Sequence, residues 1–145
     1  MVDDAEVLEL GGEPDTPKPA KKVSYIGAPA VFALEVAVRV VHDAFESYGI
    51  YQVGSSLERA NWRDVDLRMI MSDEDFRKEF PGAGPVEHCR WEFDAKWLLL
   101  TVAISKYLSD ATGLPIDFQF QPQSHANKRH SGPRNAVGMR MARDE

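Results

Sequence analysis

Apolar side chains recur at three- and four-residue intervals between Pro29 and Tyr48, so Val31, Leu34, Val38, Val41 and Phe45 share one side of a helix. Pro29 suits the first turn, where a missing amide hydrogen is not needed, and Gly49 suits a helix stop. The period then changes. Ile50 to Val53 is a short β-prone run ending at Gly54-Ser55-Ser56, and residues 57–63 read as a polar connection. A strand is expected over Val65 to Met71, with Asp64, Asp66 and Arg68 on one side and Val65, Leu67 and Met69 on the other. Ser72, followed by Asp73, Glu74 and Asp75, predicts a capped helix start; that helix must stop before the Pro81–Pro85 run.

A longer helix is expected over Glu87 to Asp110. Its centre, Trp97 to Ile104, is apolar on nearly every side, which predicts a central buried helix ended by Gly113 and Pro115. Trp91 and Trp97 are expected in the core. Alternation returns in Ile116 to Gln121, where Ile116, Phe118 and Phe120 oppose Asp117, Gln119 and Gln121. Past Pro122 the period is lost. The order helix, strand, strand, helix, helix, strand predicts a small α/β domain, a short mixed β-sheet with helices packed on one face. Its polar face carries Asp64, Asp66 and Asp117, which repel one another unless a cation or a base sits among them.

Length and composition narrow this picture. The chain has 145 residues, which suits one domain. Residues 1–22, rich in Pro, Gly and charge, read as a disordered tail, in which Val7 to Leu10 is at most a short strand. Net charge is −6, which argues against a protein that coats nucleic acid through a broad basic surface. The charge is uneven, however: Lys128, Arg129, His130, Arg134, Arg140 and Arg143 crowd the end of the chain. This basic segment, 123–145, is either solvated or folded over the polar face. Cys89 stands alone, so no intrachain disulfide and no zinc cluster are expected, and His88 beside it does not make one. No signal peptide and no membrane span are read, which fits a cytoplasmic protein.

The polar face suggests chemistry. Asp64 and Asp66 are two apart, so on a strand their carboxylates point the same way and make an Mg²⁺ anchor. Asp117 on a neighbouring strand would bind a second ion or take a proton from an attacking hydroxyl. Gly54 lets backbone approach a phosphate, and Ser55 and Ser56 add donors. Arg59, Arg63 and Arg68 present guanidinium groups that match phosphate oxygens. Trp62 either stacks on a base or anchors its loop.

Val53-Gly54-Ser55, followed ten residues after Gly54 by Asp64-Val65-Asp66-Leu67 and later by Ile116-Asp117-Phe118, resembles the nucleotidyltransferase superfamily of polymerase β-like and minimal nucleotidyltransferase domains. The stretch Gly113 to Gly138 is similar to small phage and actinobacterial members. The resemblance covers about residues 29–121 and implies a nucleotidyltransferase-like domain over 23–122. By that likeness Gly54 and Ser55 hold the triphosphate of an NTP such as ATP, with Ser56, Arg59 and Arg63 beside them. Asp64 and Asp66 bind Mg²⁺, and Asp117 completes the site. The implied reaction moves a nucleoside monophosphate to a hydroxyl of RNA, a protein or a small molecule, with a dimer mate or partner chain choosing the acceptor. Two features depart from the family pattern: the loop after Gly-Ser lacks a further glycine, and Arg63 precedes the first acid where many members have serine. They suit the alternative, an inactive nucleotide-binding or regulatory module of the same fold. A structural protein with merely solvated acids is the third reading.

Overall fold

The computed structural model describes residues 24–138. The expectations for the tail, including a strand near Val7 to Leu10, and for Arg140 and Arg143 lie outside the described residues. The elements are α1 (Ala30–Ala44), β1 (Gly49–Val53), α2 (Ser55–Glu58), β2 (Val65–Met71), α3 (Asp73–Glu79), α4 (Ala95–Thr112), β3 (Ile116–Pro122), α5 (Gln123–Arg129) and β4 (Asn135–Val137). The strands form one mixed sheet in the order β3-β2-β1-β4. β1 runs antiparallel to both β2 and β4, and β2 runs parallel to β3. The fold is therefore the expected mixed α/β class.

Strand alternation sorts the two sheet faces. Ile50, Leu67, Met69, Phe118 and Phe120 point into a core shared with Leu34, Val38 and Val41 of α1 and with Trp97 and Leu108 of α4. Aromatic rings close its far end: Phe45 meets Phe120 edge-on at 5.0 Å, and Trp91 stacks on Trp97 at 5.3 Å. Ser72 caps α3 as expected, accepting a hydrogen bond from the Asp75 amide.

Several boundaries move for identifiable reasons. α1 ends at Ala44 rather than Tyr48, because Phe45 turns extended and packs against Phe120. Gly49 opens β1 instead of stopping a helix; its φ of 141° is reached readily by glycine, and it pairs with Ile70. The long helix begins at Ala95, not Glu87. Buried Asp94 accepts from the Trp97 amide at its N-cap and from the Gly82 amide through its other oxygen. Residues 86–88 and 91–93 form short 3₁₀ turns before it. Nor is α4 buried on every side: Trp97 and Leu108 are buried, while Leu98, Leu99, Val102 and Tyr107 are exposed. Only one layer, the sheet and α1, covers it.

The aperiodic stretch after Pro122 is ordered. It forms α5, then a turn, then β4 on the opposite edge of the sheet. To get there the chain passes over the polar face, where α5 touches both β2 and β3. This explains why Arg68, Ile70 and Gln121 are buried although they point away from the main core. Val137 and Gly138 lock the return: the Gly138 amide donates to Glu35 of α1, and a Cβ at Gly138 would collide with Val38.

Candidate functional site

Register brings two of the three acids together. Asp66 on β2 is directly paired with Asp117 on β3, so both side chains leave the sheet on the same side. Asp64 lies just before β2, exposed, and its charge reaches Asp66. Burial pushes the Asp66 carboxyl above its usual range. Arg68 opposes that shift, while the Asp117 and Asp64 charges and a side-chain hydrogen bond with Asp117 add to it. Among the described residues no three His, Cys, Asp or Glu side chains stand in a ready-made metal geometry.

Gly54 stands against this pair. It sits at φ 79° and ψ −153°, a region essentially confined to glycine. A Cβ there would lie 2.5 Å from Asp66 Oδ2. The glycine thus brings the β1–α2 turn into contact with the carboxylate, which any side chain would prevent. A buried polar cluster holds that turn from behind. Gln52 Nε2 donates to Ser56 Oγ at 2.8 Å and to Ser24 Oγ at 3.0 Å, and Gln52 Oε1 accepts from Asn135 at 3.1 Å. Ser56 is therefore engaged on the core side. Ser55 opens α2, half-buried.

Beside Gly54 and Asp66 opens a cleft of about 280 Å³. Gly54, Glu58, Asp66 and Arg68 line it together with Arg129, His130 and the turn Ser131-Gly132-Pro133. Arg68 spans the junction, donating to the Leu67 and Asp117 carbonyls at 2.9 and 2.8 Å and lying 3.5 Å from Asp117 Oδ2. Its Nε and His130 Nε2 are buried without a hydrogen-bond partner among the described residues. Such orphaned groups are costly unless something binds them. Burial, followed by the Arg68, Arg129 and Arg134 charges, holds His130 down to about 4, so it stays neutral and able to accept near neutral pH.

Arg134 secures the turn after α5, donating to the carbonyls of His130 and Ala126 and to Asn127 Oδ1. His125 packs edge-on to Trp91. Trp62 is a loop anchor, its indole donating to the Tyr25 carbonyl at 3.3 Å. Arg59 and Arg63 are exposed. Sequence reasoning missed Gln52, Glu58 and the Ser131–Pro133 turn as parts of this region. Polar Gln52 amid apolar Ile50 and Val53 was the available signal for the first; nothing local marks the others.

The fold and site define a small mixed α/β domain in which one acid of a strand-paired carboxylate couple, Asp66, meets a glycine turn and lines a cleft shared with Arg68 and Arg129. Compared with family models, curated proteins and solved structures, the chain matches none. No described helix is long and apolar enough to cross a membrane.

Proposed function

We propose that this chain is a cytoplasmic, Mg²⁺-dependent nucleotidyltransferase that moves a nucleoside monophosphate from an NTP to a hydroxyl of RNA, a protein or a small molecule. The observation that carries the reading is the contact between the Gly54 turn and the Asp66 carboxylate, beside a cleft lined by both acidic and basic side chains. The donor set suits the cation. Asp66 and Asp117 are hard oxygen ligands crowded by mutual repulsion, and a divalent ion relieves it. Asp66 and Asp117 would hold one or two Mg²⁺, with Asp64 reaching in from the strand's start. Bound Mg²⁺ would offset charge on the phosphates during displacement.

The chain's own groups have distinct tasks. Backbone at Gly54 admits the phosphates close to the acids, and Arg68 and Arg129 match the charge of the triphosphate. The acceptor oxygen bonds to the α-phosphorus as the bond to the bridging oxygen of the β-phosphate breaks. Pyrophosphate leaves, and the hydroxyl proton passes to Asp117, whose side chain is 44% exposed. Asp66→Asn and Asp117→Asn should each cut transfer from a radiolabelled NTP by about 100-fold or more. Asp66→Asn should also raise the melting temperature at neutral pH, because it removes an unfavourable ionisation. Transfer that survives both substitutions sinks the assignment.

One observation favours a second reading, a regulatory module that binds nucleotide without turnover. Arg68 gives Asp117 a built-in cation at 3.5 Å. Calorimetry separates the two: nucleotide binding indifferent to Mg²⁺, with no label transfer, selects the module.

A further inference from the structure

We infer that the outer face of α1 and α4 is a homodimer interface, two copies packing back to back with their clefts facing outward. A soluble helix ordinarily shows an apolar stripe to its own core and polar residues to water. Here both helices carry a second apolar stripe on the far side. Phe32, Val36 and Val40 follow one another at four-residue spacing on α1, and Leu99 and Val102 lie on α4. These five are 64–69% exposed. Leu98 and Tyr107 add to the same helix's exposed apolar surface. The stripes join across a groove of about 380 Å³ between the helices, lined by Val40, Val41, Ala44, Leu100, Ala103 and Tyr107.

Area and shape select the occupant. Large side chains exposed to this degree present several hundred Å² of apolar surface together, the order of the ~800 Å² that each partner gives to a stable interface. Monomers rarely leave so much contiguous apolar surface in water. The face has both parts of a self-complementary contact: projecting side chains at Phe32, Leu99 and Val102, and a groove between the helices. A two-fold axis lets each copy's projections enter the other's groove, which is the isologous packing of most homodimers. The α1 stripe is flanked by exposed Arg39 and Asp43, one charge of each sign, which a two-fold contact can set against one another. Lys106 is already paired with Asp110 at 3.0 Å on its own helix.

The surface lies across the sheet from the cleft, so its assignment is independent of the nucleotide reading. Sedimentation equilibrium of the full chain should give twice the chain mass at micromolar concentration. Because each copy carries a net charge of −6, added salt should strengthen association by screening repulsion. The double variant Leu99→Asp, Val102→Asp should weaken association by about 100-fold or more, by placing unpaired charge in the buried contact. Both positions are exposed in the single chain, so its circular dichroism should match the parent's. As a check without substitution, methyl resonances of Val36, Leu99 and Val102 should shift with protein concentration while that of Ile50 does not. A chain that stays monomeric overturns the inference. So does a dimer that survives the double variant or dissociates in salt. If removing residues 1–23 converts a monomer into a dimer, the face belongs to that segment and the inference also fails.

Discussion

Gly54 shows how much one missing methyl group decides. Its φ of 79° and ψ of −153° exclude other residues on backbone grounds, and the Asp66 carboxylate excludes them on contact grounds. Gly54→Ala should therefore destabilise the fold by about 1–3 kcal/mol, read from urea melts, and should lower label transfer in the fraction that remains folded. A melt unchanged from the parent's would show that the turn relaxes freely. Arg68 makes the complementary point. Its charge sits in the sheet's polar face, most of its donors are taken by strand carbonyls and Asp117, and its Nε remains buried and unpaired. The alternation that placed Arg68 beside the acids was plain in the sequence. Its burial was not, because the helix α5 that touches β2 comes from residues 123–129, far along the chain.

Elements here are tied together by polar contacts as well as by the core. Gln52 of β1 reaches Ser24 before α1, Ser56 of α2 and Asn135 of β4, so one buried amide joins four segments. Gln52→Leu keeps the volume roughly but orphans those partners. It should cost about 1–3 kcal/mol, and hydrogen exchange should show β4 and α2 opening first. Uniform loss of protection would mean that the cluster does not act locally. Helix and strand types were legible from periodicity in α1, β1, β2, α3, α4 and β3. Their ends were less so. α4 starts where Asp94 finds two amides, one of them at distant Gly82, and α1 stops where Phe45 finds Phe120. Those partners lie far along the chain, so no local pattern announces them.

At the scale of the whole molecule, the return of residues 123–137 across the polar face sets the pH response. His130 titrates near 6.5 in an unfolded chain and is held down to about 4 in the fold. The unfolded state thus binds the extra proton first as pH drops. Stability from this group is complete above about 6.5 and is lost as pH falls through about 4. Asp66 works the other way: its raised pKa means that acid relieves an ionisation the fold disfavours. His130→Gln should therefore flatten the acid limb, giving a smaller drop in melting temperature between neutral pH and pH 4 than the parent shows. An equal drop would assign the acid sensitivity elsewhere, with His125, also lowered by burial, the next group to test.

The sequence by itself determined the class of fold, the side of each strand on which Asp66 and Asp117 project, and the Gly54 break between β1 and α2. Each of these follows from residues adjacent in the chain, through side-chain parity or backbone freedom. Tertiary structure decided that β2 and β3 pair in the register that sets Asp66 against Asp117, and that Asp64 stays just outside the strand. It also decided that the basic segment crosses the acids to make a cleft, and that α4, apolar nearly all round, keeps one side uncovered. Register and coverage depend on how much surface distant segments bury together. That balance is settled only when the whole chain has packed.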